Sequence, residues 1–375
     1  MVGDNTETVG SQGERTVTNP LTGDHLLIRE FINGLSDSGR LTVIRSFRDY
    51  ESPAGLSTIA SQADISRRTV SSHVSDCLSM GLLNQASDTD EYWLTAGGHC
   101  ILDAVERWLV ELTQEQLADL TRSEWTLELL RTLQERPVAP GEVASERPQS
   151  PSHTTVWRTL QAFAEYGWCE NGSNSYHLLP AGKRTLEAYE ELETMAEQVI
   201  AKAPFLQRLS PRWSDFPTHA LPEADLVVSK PDSPGLVVEA ALKLCNPRIK
   251  NYRSLISVYS PTLFRAYYRL LSMGMHGEGI IDASVYEKLI QNEEMQYLLD
   301  TSSYEHYDLY RLDERLTLGI ALYDDQKVAI GTYNEVGDGQ HTAIIISSHE
   351  DLIEWGTTIY NSYRQRAVRT ECPSE

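Results

Sequence analysis

Apolar residues recur every three or four positions through most of the first two hundred residues, and one arrangement of them occurs twice. The first copy runs Thr69-Val70-Ser71-Ser72-His73-Val74-Ser75-Asp76-Cys77-Leu78-Ser79-Met80-Gly81-Leu82. The second runs Thr155-Val156-Trp157-Arg158-Thr159-Leu160-Gln161-Ala162-Phe163-Ala164-Glu165-Tyr166-Gly167-Trp168. Val70 aligns with Val156, Val74 with Leu160 and Cys77 with Phe163. Spacings of four and three place each set on one helical face. Gly81 and Gly167 then stand where a left-handed residue ends a helix. Self-similarity of this kind marks a repeated structural unit.

The flanks repeat as well. Upstream of the first copy, Leu41 to Phe47 and Leu56 to Ala60 read as short amphipathic helices, Ala63-Asp64-Ile65 as a tight turn and Ser66 as an N-cap. Downstream, Leu82-Leu83-Asn84 and Glu91-Tyr92-Trp93-Leu94 bracket Ser87-Asp88-Thr89-Asp90, a strand–turn–strand signal. In the second copy the corresponding pieces are Trp125 to Leu133, Glu142-Val143-Ala144, Ser152 as cap, and a hairpin turning at Asn171-Gly172-Ser173-Asn174 and returning through Tyr176-His177-Leu178. Three helices and a two-stranded wing predict a winged helix-turn-helix, here twice in tandem. Ile59-Ala60, Ser66 through Val74, Gly81-Leu82-Leu83, Leu94-Thr95-Ala96-Gly97 and Leu179-Pro180-Ala181-Gly182 resemble the motifs of archaeal and bacterial winged-helix regulators over residues 38–190.

The third helix of this fold enters the major groove by its N-terminal end. With Val70, Val74 and Cys77 turned to the core, the first copy presents Ser66, Arg67, Arg68, Thr69, Ser71, Ser72 and Ser75. Arginine suits guanine edges, and hydroxyls suit phosphates or base edges. The second copy presents Ser152, His153, Thr154, Trp157, Arg158 and Gln161. Trp157 departs from the pattern, because a large ring stands where small polar residues touch DNA; it either inserts at DNA or packs against the first copy or a partner subunit. The wing tips are acidic (Asp88, Asp90, Glu91; Glu170), which opposes phosphate approach. A polar helix face is also what simple solvation produces.

The helix after each wing carries its own stripe. Ile101, Val105, Trp108 and Leu112 follow the first, and Tyr189, Leu192, Ala196 and Val199 follow the second. Such spacing suits a helix pair. Packing on the parent domain and dimerisation both remain open for the first stripe, whereas the second is read as the seam of a homodimer.

From Pro204 the pattern changes to alternating strands and helices. Strands are expected at Asp225–Val228, Tyr252–Tyr259 and Gly279–Ile281, with helices at Leu236–Cys245, from Ser260-Pro261 to Met273, and at Ser284–Leu299. Four more strands follow, near Tyr307–Arg311, Leu316–Tyr323, Val328–Tyr333 and Thr342–Ser347, read as joined by hairpin-type turns that include Asp324-Asp325 and Gly337-Asp338-Gly339. A last helix covers Glu350 to about Arg369. This is a mixed α/β sheet. Leu221-Pro222 with Ala224 to Val228, Ser260-Pro261, Glu354-Trp355 and Tyr363-Arg364 with Ala367 resemble the effector domain of Fil-type regulators. Those are similar in layout to TrmB-type sugar-sensing repressors, whose effector domain is related to the phospholipase D fold. Catalysis of that type needs His-x-Lys, and none of the ten histidines has lysine two positions on. With no GxSxG, HExxH or P-loop either, the chain does not read as an enzyme. His349-Glu350-Asp351 reads as the capped start of the last helix, and no cofactor or metal is called for.

Charge and cysteines add context. The chain has 54 acidic against 32 basic residues, a formal net charge of −22, and its first lysine is Lys183. An acidic surface with Arg in place of Lys is the pattern of a salt-in halophile cytosol. Cys77, Cys100, Cys169, Cys245 and Cys372 are scattered, which fits a reducing cytoplasm. An acidic, polar start (Asp4, Glu7, Glu14) and the lack of a long apolar run argue against a signal peptide or membrane span.

The expected class is therefore α+β multidomain: a disordered tail at 1–22, winged helices at 23–118 and 119–203, and a mixed α/β effector domain at 204–375. The function expected is that of a cytoplasmic, dimeric regulator binding double-stranded DNA, whose C-terminal domain senses a small molecule or mediates assembly. The alternative is a scaffold that docks proteins of the transcription machinery on its winged helices.

Overall fold

The computed structural model describes residues 14–20, 23–50, 52–86, 89–144, 151–210, 213, 215–230, 232–299, 306–333 and 341–370. Asp4, Glu7, Ser87, Asp88, Cys372 and the turn Gly337-Asp338-Gly339 lie outside them. The chain is mixed α and β and divides into two compact units, the first holding most residues up to Ala201 and the second most from Lys202 onward. Both repeats belong to the first unit, and so are not the separate domains that a boundary at 118/119 implied.

That unit opens with β1 (Thr16–Thr18), antiparallel to β2 (His25–Leu27). Residues 16–18 thus form a strand instead of belonging to a disordered tail, because Val17 is buried and the tail packs on the repeats. The first repeat comprises α1 (Ile28–Leu35), α2 (Ser38–Arg48), β3 (Ala54–Gly55), α3 (Leu56–Ala63), α4 (Arg67–Ser79), β4 (Leu83–Gln85), β5 (Glu91–Leu94) and α5 (Ala96–Glu111). The second comprises α6 (Gln114–Thr121), α7 (Glu124–Glu135), α8 (Pro140–Val143), α9 (His153–Glu165), β6 (Cys169–Asn171), β7 (Tyr176–Leu178) and α10 (Pro180–Ala201). A capping box between Thr113 and Gln116 starts α6, which the expected boundary would have cut.

The repeats agree in detail. Ala54 bridges Tyr92 in one, and Val138 bridges Tyr176 in the other. Gly81 and Gly167 end α4 and α9 with φ of 73° and 70°. A Cβ on Gly98 would lie 2.3 Å from the Leu82 oxygen and 2.5 Å from Leu94 Cδ1. On Gly182 it would lie 2.3 Å from the Trp168 oxygen and 2.6 Å from Leu178 Cδ1. Gly98, and not Gly97, is therefore the partner of Gly182.

The apolar stripe of α10 is not a free seam. Tyr189, Leu192, Ala196 and Val199 are each at most 1% exposed within this one chain, packed among α1, α7, β1 and α5. No second subunit is needed to cover the stripe, and α5 reaches α10 through side chains. Trp108 meets Tyr189 edge-on, the Cys100 thiol reaches the Met195 sulfur at 2.8 Å, and Arg184 pairs with Glu111 at 3.7 Å. These contacts make the two helices antiparallel. With Gly98 aligned to Gly182, Cys100 corresponds to Arg184 and Glu111 to Met195. Exchanging the repeats thus turns the first polar contact into the second, which is the mark of a twofold interface. Glu193 on α10 is buried between Arg131 (3.0 Å) and Arg15 (3.3 Å). Burial pushes its carboxyl above the ordinary glutamate range despite both arginines.

The second unit begins with α11 (Ala203–Leu206) and a 3-10 turn at Thr218–Glu223. Next come β8 (Asp225–Val228), α12 (Leu236–Leu244), β9 (Asn251–Ile256), α13 (Pro261–Ser272), β10 (His276–Asp282) and α14 (Ala283–Gln291). The expected helix 284–299 stops at Gln291, and residues from Glu293 to Leu299 continue as a 3-10 helix. Then follow β11 (Tyr307–Leu312), β12 (Leu318–Tyr323), β13 (Lys327–Tyr333), β14 (His341–Ser347), α15 (Glu350–Arg364) and β15 (Val368–Arg369). Chain continuation past Arg364 leaves the helix and pairs β15 with β11.

These strands form one eight-stranded sheet in the order β15-β11-β10-β9-β12-β13-β14-β8. β9, β10 and β11 are parallel, linked by α13 and α14, and the other pairings are antiparallel. β11 and β12 are therefore not a hairpin as expected. β11 is the third parallel strand, and β12 crosses back to pair with β9. Asp324 and Asp325, both at positive φ, make the tight β12–β13 turn. One sheet face packs on α15, where Gly356 approaches Val328, Ile320 and Leu322. The opposite face packs on α12 and α13.

Candidate nucleic-acid interface

α4 and α9 are built alike. Ser66 accepts from the Thr69 amide at 3.1 Å and meets its hydroxyl at 2.8 Å. Ser152 does the same with Thr155, at 3.2 and 2.9 Å. Each cap satisfies an amide that the first helical turn leaves without a partner. Ser66, Thr69 and Ser152 thus first serve the helix start. Thr155, which sequence reasoning passed over, is the true counterpart of Thr69. Buried Val70, Val74 and Cys77 anchor α4, and Val156, Leu160 and Phe163 anchor α9.

The outward faces carry the remaining residues. Arg67, Arg68, Ser71, Ser72 and Ser75 are exposed on α4, and His153, Thr154, Trp157 and Arg158 on α9. Gln161 is only half-buried and donates to the Tyr176 hydroxyl at 3.3 Å, which ties it to the hairpin. Trp157 is 45% exposed, so it is not a core residue of its repeat. On the inner side of α4, Asp76 pairs with Arg40 at 2.6 Å. Asp90, Glu91 and Glu170 are exposed on the hairpins.

The distribution of cationic charge decides which surface is distinctive. In this unit Arg15, Arg29, Arg40, Arg45, Arg48, Arg122, Arg131, Arg136 and Arg184 each lie in an ion pair. Among its described arginines, Arg67, Arg68, Arg107 and Arg158 have none. Arg67 and Arg68 open α4, and Arg158 lies one turn further in on α9. The helix dipole adds positive potential at both N-terminal ends, with free amides that favour an anion. In a chain of net charge −22, both of these helices carry exposed arginine without an ion pair.

No group of three or more metal-ligating side chains is present among the described residues. Burial pushes the Cys77 thiol on the inner face of α4 up to about 12, so it is a packing group there. No helix of the described residues is long and apolar enough to cross a membrane.

Comparison with known proteins divides along the same lines. Residues 237–366, from α12 through α15, match a family model described as the middle domain of the methanogenesis regulatory protein FilR1. Residues 114–199, from the first residue of α6 into α10, match one described as the HVO_A0261 N-terminal domain. The latter span is one whole repeat. No curated protein matches the sequence. Among solved structures the chain is similar to TrmBL2, described as an archaeal chromatin protein with a novel mode of DNA binding, at 13% identity over 69% of this chain and 100% of that one, with a TM-score of 0.31. It is similar to NucT from Helicobacter pylori at 15% identity, over 39% of this chain and 98% of that one, with a TM-score of 0.31. Nuc from Salmonella typhimurium, a phospholipase D family member, is similar at 13% identity over 40% and 99%, with a TM-score of 0.32.

Proposed function

We propose that this protein is a DNA-binding transcriptional regulator with two winged helix-turn-helix units in tandem, α4 being the principal reading helix, and with its second unit as an effector domain. The observation that carries the reading is the set of exposed, unpaired arginines, Arg67, Arg68 and Arg158, on two Ser-capped helices of an acidic unit whose other described arginines, Arg107 excepted, are ion-paired. Phosphates and guanine edges are what such groups recognise. The match of residues 237–366 to part of a regulatory protein supports a regulatory role for the second unit. No catalytic step is assigned to it.

The antiparallel α5/α10 pair supports a further refinement. A symmetric reader meets a palindromic operator because its twofold axis coincides with that of the DNA. Here the local twofold relation lies within one chain. The operator expected is an imperfect inverted repeat bound by a single chain, because Ser71, Ser72 and Ser75 read one half and Trp157 and Arg158 the other. A homodimer through α10 is no longer part of the reading.

Trp157 favours a second reading, in which α9 docks a protein of the transcription machinery while α4 binds DNA. A solvent-exposed tryptophan is a common anchor of protein interfaces. In vitro selection from random duplex DNA, followed by footprinting at graded KCl, tests both. Enrichment of an inverted repeat protected on both halves supports the first. Protection of one half only supports the second, and failure to enrich any sequence overturns DNA reading.

A further inference from the structure

Beneath α12 and α13 the central strands of the large sheet lack bulky side chains. Ser254 and Gly279 are register partners, as are Ala321 and Ala329, and Gly319 and Gly331. Ser254 also pairs with Ala321. A buried sheet centre is ordinarily filled by Val or Ile, and glycine there leaves room for something to approach the backbone. The space left is a cavity of about 110 Å³. Tyr252, Tyr307, Tyr323 and Tyr333 from the strands wall it, and Phe264 and Tyr267 from α13 roof it. Tyr252 and Tyr267 are stacked with centroids 4.3 Å apart.

No charged side chain among the described residues lines this space. Burial pushes the phenols of Tyr252, Tyr307, Tyr323 and Tyr333 well above the ordinary tyrosine range, so the walls stay neutral. Most hydroxyls are already used: Tyr267 bonds Tyr323 at 2.6 Å, and Ser257 bonds Tyr333. The Ser254 hydroxyl is less well satisfied: the residue is 2% exposed, and its buried Oγ has the Tyr252 phenol beside it but no hydrogen bond of normal geometry. A buried polar group left unpaired is destabilising unless a ligand or water completes it.

We propose that this cavity binds an uncharged, planar, single-ring molecule carrying one hydrogen-bonding group, which Ser254 receives while the tyrosine walls hold the ring. A charged ligand would lose its hydration with no counter-charge to meet it. A sugar would bring several hydroxyls to walls that are mostly aromatic and aliphatic. The volume is of the order of an apolar protein cavity known to admit benzene, roughly 150 Å³. The proposal deepens the effector half of the function above, and ligand binding is measured without DNA, so its failure leaves DNA reading untouched.

The test is calorimetric titration of the full chain with phenol, toluene and benzoate, which share ring size and differ in polarity and charge. Phenol is expected to bind, toluene less tightly, and benzoate at least about 100-fold more weakly than phenol. Ser254→Ala should weaken phenol by about 2- to 10-fold and leave toluene unchanged. Ala321→Leu, which fills the floor, should abolish both while far-UV circular dichroism stays as in the wild type. Should that variant not fold, the phenol-against-toluene difference in Ser254→Ala decides alone. Benzoate binding as well as phenol, a phenol affinity indifferent to Ser254→Ala, or no phenol binding at millimolar concentration overturns the proposal.

Discussion

Trp108 and Tyr189 meet edge-on with ring centroids 6.4 Å apart, and through them the helix that closes the first repeat is joined to the helix that closes the second. Both are buried. Because this joint lies inside one chain, its loss should unfold the unit and not separate subunits. Leu192→Ala is expected to destabilise by about 2–5 kcal/mol. Urea denaturation with sedimentation checks it: the midpoint falls while the mass of the folded species is unchanged. A loss of mass with an unchanged midpoint would restore the intersubunit seam.

Arg67 and Arg68 bear on function alone. Neither is on the buried face of α4 and neither has an ion pair, so the double change to Ala should leave the melting curve as it is. Operator affinity should fall by about 1–3 kcal/mol for each base edge that an arginine no longer reaches. Fluorescence anisotropy at two KCl concentrations measures it. An unchanged affinity removes α4 as the reader.

Trp157→Ala separates surface from core. At 45% exposed, its ring lies outside the cluster of Val156, Leu160 and Phe163. The substitution should change stability by no more than about 0.5 kcal/mol, the range of ordinary surface changes. Thermal melting tests that, and a drop of several degrees contradicts the exposed placement.

Gly98 and Gly182 are predicted to be intolerant of alanine to a similar degree. In each case the added Cβ meets a backbone oxygen at 2.3 Å, which a rotamer change cannot relieve. Overpacking of this kind costs about 1–3 kcal/mol. Gly141→Ala, whose Cβ would meet only His153 Cδ2 at 3.7 Å, serves as the comparison in the same denaturation series and should be the milder change.

Glu193 gives the unit a pH dependence whose sign follows from its raised carboxyl pKa. The folded state holds the proton more tightly than the unfolded chain does. Its contribution is therefore fully present below the unfolded value and is lost as pH rises through the folded one. Arg131, Arg15 and Glu190 face this carboxyl and modulate the shift. Wild-type stability relative to Glu193→Gln should decline as pH rises from the ordinary glutamate range into the mildly acidic range above it. Chemical denaturation at a series of pH values checks the slope, and a difference that grows in the opposite direction refutes the assignment.

Much of this architecture was legible in the chain itself. Helices α4 and α9 announce themselves because their signals are local: a Ser cap, apolar residues four and three apart, and a glycine where the helix must end. Strands β8, β9, β10, β12, β13 and β14 were legible for the same reason, each being a short apolar run bounded by turn residues. A stripe such as Tyr189, Leu192, Ala196 and Val199 states only that a helix face must be covered. It does not say by what, because burial by a neighbour within the chain and burial by a second chain remove the same apolar surface from water. Only the tertiary structure decided that α1, β1 and α7 of the same chain cover most of that face, with α5 reaching it through Trp108. It likewise decided that β11 joins the parallel strands, since strand pairing is set by partners distant in sequence. The cavity was silent for a related reason. Ser254, Gly279, Gly319 and Gly331 are ordinary residues singly, and they become a floor only when the register of four strands brings them side by side.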